Sequence, residues 1–505
     1  MMKRFCALLV VLVLAAQPLG TFAVPMDFSG GVNNEYEYQE YVFLSGEPVK
    51  FVGTYDVSER TRSDRRTNEE KTTLTYNFRL QPEDTDITGE VSRRITYEVA
   101  KAAQDGKGQT ISRTQLTRYS ETIEINGVNY ELEDFQFSKS DIIDNRPVSD
   151  FYSGSLIGRK YYTINGTEGK AIVDISGGNV GYNNFWGNTD TQIITYVINV
   201  EWESAADEDE DRSWQGTVNI QVSDSTTKSL SYSENEATFS SIDGGYARIT
   251  NRKIVSKYSY NLPRLDRDGI PDDDRRKTGS ISLTGEMVPQ IERLIVPKFK
   301  DIGGHWAEMD IKKLYSLDVF DRMSEFFQPE LYMTRMEFTK AVMKACNIRP
   351  EATEQTTRTS RRRNSVSEDS VFKDVSVDDP DYQLIKEAVA KGIISGVDGE
   401  YFKPDSPLKR IDAVVIIIRA LGFESKAPTP GYYTSFDDDR VIPEWAKDSV
   451  YVAREIGLVG GDNFNRFNGG EVLSRAEASA LLVNFLDFLE KDLQRDYREN
   501  ILLYN

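Results

Sequence analysis

From residue 72 to 80 (Thr-Thr-Leu-Thr-Tyr-Asn-Phe-Arg-Leu) apolar and polar side chains alternate, and residues 192–202 do the same. A period of two buries one set and leaves the other in water, the pattern of a half-buried strand. Residues 121–125 and 128–132 flank Asn126-Gly127, the dipeptide best suited to a two-residue type I′ hairpin turn. Residues 217–222, 247–262 and 280–288 continue the pattern. Many short β segments separated by Gly, Asn, Asp and Ser predict a sandwich or barrel-like fold over 24–290, with room for two β domains. No helical periodicity separates the strands, which argues against a parallel α/β fold.

Near residue 297 the period changes to that of helices, and the chain begins to repeat itself. Three segments open with Phe followed two residues later by Asp: Phe299-Lys300-Asp301, Phe372-Lys373-Asp374 and Phe436-Asp437-Asp438. An aromatic follows near the start of a first helix, at Trp306, Tyr382 and Trp445. A turn comes next, at 316–319, 391–394 and 455–458, and an Arg opens a second helix at Arg335, Arg410 and Arg475. The Phe-to-Arg spacings of 36, 38 and 39 keep the units in register. They span 299–349, 371–425 and 435–490.

The N-terminus bears on compartment. Lys3 and Arg4 precede an apolar run over 5–16, and Thr21-Phe22-Ala23 supplies small residues before a cut. This predicts a secretory signal peptide over 1–23, since the run is too short to span a bilayer. No later stretch is long and apolar enough for a membrane helix. Removing the signal would take Cys6 and leave Cys346 alone, so no internal disulfide is expected. The formal charge of −20 would become −22 with the loss of Lys3 and Arg4. Such acidity argues against nucleic acid and anionic membranes as partners.

The repeated Phe-x-Asp opening, turn and Arg resemble the S-layer homology domain family over about 299–490. The resemblance implies a pseudo-threefold assembly of three helical repeats with ligand grooves between neighbours. It also implies a ligand, a secondary cell-wall polysaccharide that often carries a pyruvate ketal, and a place at the cell surface with the β region as a lattice-forming or displayed part. Calcium-dependent self-assembly would mark the first role, and glycan binding by a monomer the second.

The residues make chemical sense of that ligand. Thr334-Arg335-Met336-Glu337 and Ser474-Arg475-Ala476-Glu477 are capping boxes, which satisfy free N–H groups at a helix start. The Arg in the first turn offers a planar fork for a carboxylate, or pairs with a neighbouring acid. Trp306 and Trp445 offer an aromatic face to a sugar or pack in the core. Tyr382 replaces Trp in the second repeat, where Lys409-Arg410-Ile411-Asp412 also lacks the capping hydroxyl. Gly392, Gly396, Gly457 and Gly460 permit tight turns, whereas the first repeat has no Gly at its turn. The candidate polymer-binding set is therefore Trp306, Arg335, Tyr382, Gly392, Arg410, Trp445, Gly457 and Arg475, with sites using Arg475 or Arg410 favoured over one relying on the first turn.

Other signals are fewer. Residues 350–370 form a long polar linker containing Arg361-Arg362-Arg363. Asp266, Asp268 and Asp272 alternate around Gly269, either as a calcium loop without the EF-hand's distal Glu or as an acidic inter-domain turn. The acidic run 207–211 reads as a solvated hairpin tip. With His305 the only histidine, no Ser-His-Asp or Cys-His arrangement is available. The expectation is a protein without enzymatic activity, with a wall-anchored glycosidase as the enzyme alternative because Asp and Glu are plentiful.

Overall fold

A computed structural model describes residues 28–64, 69–104, 108–203, 212–234, 244–266, 270–320, 325–348 and 370–493. The expected signal segment 1–23, the linker up to residue 369, the acidic run 207–211 and Asp268 lie outside them.

The first part is one antiparallel sheet of fourteen strands. These are β1 (Val32–Asn33), β2 (Tyr38–Val42), β3 (Val49–Asp64), β4 (Glu69–Pro82), β5 (Gly89–Gln104), β6 (Gln109–Ile125), β7 (Val128–Asn145), β8 (Ser149–Ile164), β9 (Gly169–Asn184), β10 (Gly187–Trp202), β11 (Trp214–Ser233), β12 (Gly245–Leu265), β13 (Pro271–Glu286) and β14 (Gln290–Arg293). Each pairs with the next as far as β13, and β14 pairs back onto β12. The expected hairpin is present: β6 and β7 meet at Asn126 and Gly127, with φ of 51° and 83°, the two positive values a type I′ turn needs.

The sheet curls into a half-barrel. Gly285 of β13 lies so close to β1 that a Cβ there would come 2.3 Å from the Asn33 carbonyl oxygen. The Tyr258 hydroxyl of β12 donates to the Gly30 carbonyl at 2.6 Å. Alternation explains the curl: on β5, Val91, Arg93, Ile95 and Tyr97 are buried while Glu90, Ser92 and Arg94 are exposed. The inner face gathers Phe51, Phe78, Ile95, Tyr97, Ile194 and Val218 into one core. Of the two expected forms the barrel-like one is present, in one continuous sheet rather than a sandwich or two β domains. The strands are also far longer than the short segments read from sequence, because their ends run on beyond the apolar core and lose the alternation there.

Among the described residues six α-helices follow: α1 (Glu308–Ser316), α2 (Arg335–Ala345), α3 (Tyr382–Ala390), α4 (Arg410–Leu421), α5 (Glu444–Glu455) and α6 (Arg475–Asp487). None is long and apolar enough to cross a membrane. Thr334 and Ser474 close capping boxes on α2 and α6, and Lys409 gives α4 no side-chain cap. Just ahead of α2, α4 and α6 the backbone closes a ring of three hydrogen bonds: Met333 N–H to Leu473 O at 3.1 Å, Leu473 N–H to Leu408 O at 2.9 Å, and Leu408 N–H to Met333 O at 2.9 Å. The helices share one core, with Ile411, Val414, Val415 and Ile418 buried as their spacing predicts.

The two parts touch directly. Val148, Tyr182 and Trp186 of the sheet join the helical core. The Trp186 indole donates to the Ala345 carbonyl at 3.1 Å, and Arg146 Nη1 donates to the Gly422 carbonyl at 3.2 Å.

Candidate functional site

Each Arg that opens a second helix is placed by the segment after it in the ring. The Arg335 guanidinium lies over the Phe402 ring at 5.4 Å, Arg410 over Phe467 at 5.6 Å, and Arg475 over Phe327 at 4.7 Å. These stacks are cation–π contacts between segments. The three rings are held from below by the Asp of each opening motif. Asp301 accepts from Phe327 N and Gln328 N, Asp374 from Phe402 N and Lys403 N, and Asp438 from Phe467 N and Asn468 N, at 2.6–2.9 Å. The sequence reading gave these residues no role. Their signal is a constant interval: Phe327, Phe402 and Phe467 each stand eight residues before the Arg of their own segment.

Polar contacts fix the guanidinium edges. Arg335 Nη1 lies 3.3 Å from Asp412 and Nη2 donates to Ser395 O at 3.4 Å. Arg410 Nη2 donates to Gly460 O at 3.1 Å, and Arg475 Nη1 lies 2.7 Å from Glu337. In all three the Nε–H is buried and has no hydrogen-bond partner. A buried donor without an acceptor costs about 1–3 kcal/mol, and here the same vacancy occurs three times, beside a groove at Arg335 and Arg410.

Arg335 and Arg410 each line a groove. One, of about 390 Å³, is lined by Arg335, the turn 393–398, Asp412 and Arg419 of α4, and Trp445. The other, of about 210 Å³, is lined by Arg410, the turn 458–460, Glu477 and Asn484 of α6, and Trp306. Each groove thus combines an Arg from one segment, the turn and second helix of the next, and an indole from the one after. Trp306 and Trp445 are 63% and 54% exposed, which decides between core packing and an open face in favour of the latter.

The remaining candidates divide. Gly392 and Gly457 adopt φ of 70° and 73° at the end of the first helix, and Asp318 takes the same left-handed position at 57°. Asp tolerates that region better than most side chains, so the first segment makes the turn without Gly. Tyr382 is buried at 1%, and counting back twelve residues from the left-handed position puts Pro380, not Tyr382, at the place of Trp306 and Trp445. Tyr382 is a core residue rather than a groove aromatic. Arg475 faces the first segment, at Phe327 and Glu337, whereas Arg335 and Arg410 face the turns with Gly.

The acidic loop carries less. Asp266 Oδ1 accepts from Ile270 N at 2.9 Å, and Asp272 lies 3.8 Å from Arg275. Among the described residues no group of three or more His, Cys, Asp or Glu is placed to hold a metal ion.

The S-layer homology domain family model matches residues 298–339 and 371–414. Curated relatives include an exoglucanase, XynX, of Acetivibrio thermocellus, 29% identical over 44% of this chain and 19% of that protein. An amylopullulanase of Thermoanaerobacterium thermosulfurigenes is 26% identical over 48% of this chain and 12% of its own. The surface-layer 125 kDa protein of Lysinibacillus sphaericus is 32% identical over 19% of this chain and 8% of its own. The chain thus spans less than a fifth of the length of these relatives.

Proposed function

Because residues 298–414 carry S-layer homology domains, which anchor surface proteins at the cell wall, we propose that residues 299–490 form a pseudo-threefold module of three repeats that grips an acidic wall polysaccharide. The observation that carries this is the guanidinium stacked on Phe in each inter-segment groove, with its Nε–H buried and unpartnered beside an exposed indole. A planar fork next to an aromatic face suits a carboxylate attached to a sugar, such as a pyruvate ketal. The closed ring of backbone hydrogen bonds and the repeated Asp-to-Phe anchors support the threefold reading. In this reading the protein is exported, the third repeat spans 435–490, and the half-barrel is the part displayed at the surface or built into a lattice.

The role is one of binding rather than catalysis. Glu40 and Glu121 are buried together in the half-barrel and both are bound by Arg93; a second pair, Asp190 and Asp224, meets across β10 and β11. Burial alone would push the Glu121 carboxyl up, but Arg93 and Lys160 outweigh it and hold it down at about 2. That is opposite to the shift a glycosidase acid needs, and Asp190, which burial does raise, has both carboxyl oxygens engaged by Gln192 and Asn179.

The test is retention of the purified full chain on purified wall polysaccharide. Arg335→Ala combined with Arg410→Ala should weaken retention by about tenfold or more, as expected for charge-assisted bonds of about 1.5–3 kcal/mol, and removing pyruvate from the polymer should have the same effect. A folded double variant retained as well as the parent sinks the reading.

A further inference from the structure

The half-barrel has a cleft of its own, remote in sequence from the helical grooves. Its volume is about 510 Å³, within the roughly 300–1,000 Å³ of small-molecule sites. It opens where the curl brings β3 opposite β9–β12. One wall presents Tyr55 and Val57; the other presents Asn183, Asn188 and Thr226. Asn183 pairs with Asn188 and Asn188 with Thr226 across adjacent strands, so the three side chains stand in one row on the inner face.

The lining is rich in amides, and its carboxylates are Glu35, which accepts from Val288 N at 3.0 Å, and the exposed Asp56, both of which disfavour an anionic ligand. Asn33 is 2% exposed, and its Oδ1 is buried with no hydrogen-bond partner. Asn184 Oδ1 accepts from Trp186 N and Gly187 N, both at 2.8 Å. That fixes its amide orientation and leaves its buried Nδ2 as the unpartnered group. Both vacancies are closed to solvent within the cleft's walls, and the amides open to a ligand are those of Asn183 and Asn188. The cations at its edge are engaged: Lys228 Nζ donates to Phe185 O at 2.7 Å, and Arg252 forks onto Asp224 at 3.1 and 2.6 Å. A hydroxyl both donates and accepts, as a carboxamide does, whereas a carboxylate only accepts. The Tyr55 ring, stacked on Phe78 with centroids 5.8 Å apart, supplies a fixed apolar wall.

We infer that this cleft binds a neutral saccharide through its Asn side chains, as a second glycan site independent of the acidic-polymer grooves. Donor–acceptor amides, satisfied cations and one aromatic wall match a polyol with an apolar C–H face and no net charge.

Isothermal titration calorimetry on the full chain tests this, with glucose, N-acetylglucosamine and cellobiose as neutral probes and glucuronate as the charged control. Saturable binding of at least one neutral sugar, tighter than glucuronate, is expected. Asn183 is exposed, so Asn183→Trp fills the cleft without disturbing the core and should weaken binding by about tenfold or more, in line with the loss of paired polar groups. Asn188→Leu should do the same, with circular dichroism confirming the fold. Arg335→Ala with Arg410→Ala should leave sugar binding unchanged, and Asn183→Trp should leave polymer retention unchanged. The inference is overturned if no neutral sugar binds, if binding survives a folded Asn183→Trp, or if only the Arg substitutions abolish it.

Discussion

Replacing Arg93 by Met should destabilise the half-barrel by about 3–5 kcal/mol at pH 7, the range for leaving a buried charge without its partner. Arg93 is 4% exposed and stands on β5. Its Nη1 and Nη2 fork onto Glu40 of β2 at 2.8 Å each, and its Nε donates to Glu121 of β6 at 2.5 Å. Lys160 and Tyr162 of β8 complete the shell of Glu121 at 2.7 and 2.9 Å. Strands β2 and β5 are not neighbours, nor are β6 and β8, so the cluster ties the sheet across its own concavity. Two carboxylates and two cations balance, and Met leaves one negative charge uncompensated in an apolar core.

The size can be worked from Glu121. Its drop from 4.5 to about 2 corresponds to about 3 kcal/mol at 1.36 kcal/mol per tenfold, consistent with the first range. The sign follows from linkage. A carboxyl held below its unfolded value stabilises the fold fully above about 4.5, and that contribution is lost as pH falls from 4.5 toward 2. In Arg93→Met a buried carboxylate without its cation takes up a proton at higher pH. The deficit relative to the parent should therefore shrink between pH 7 and pH 4.5, where the parent's Glu121 contribution is constant. Urea unfolding at several pH values, followed at the β-sheet circular dichroism band, measures it. A deficit below about 1 kcal/mol at pH 7, or one that does not change with pH, would refute the electrostatic account.

Other outcomes follow from local geometry. Gly392→Val should cost about 1–2 kcal/mol for a β-branched residue in the left-handed region, without a clash, since no atom lies within 4 Å of the new Cβ; Asp318→Gly should be neutral or stabilising, and thermal melts of both variants check the pair. Ser474→Ala should cost about 1 kcal/mol through loss of the capping box on α6, while Lys409→Ser should stabilise α4 by supplying the cap it lacks; urea midpoints decide both. Cys346 is buried and its thiol is pushed up by burial, so it should resist thiol reagents in the native chain and label only as the helical core opens. Fast labelling at neutral pH would show that core to be loose.

How much was legible depends on whether the signal was local. The strand alternation, the Asn126-Gly127 turn and the three helix-opening arginines are short-range patterns, and the structure places all of them as read. The single curled sheet was not legible, because the contacts that close it join residues far apart, as in Tyr258 to Gly30 and Arg93 to Glu40. Tyr382 misleads for a different reason: it keeps the aromatic type but not the register, which the left-handed turn residue does keep. The grooves expose the deepest limit. Each is assembled from three segments, whereas repeats compared one by one show each Arg only with its own motif, although the Arg works against the turn of its neighbour. The neighbour's turn, not the arginine's own motif, therefore decides whether a groove is complete. By the same logic the Trp186 and Arg146 contacts to the helical backbone make the half-barrel part of the anchor's own packing, so its cleft is held at a fixed angle to the grooves rather than on a free tether.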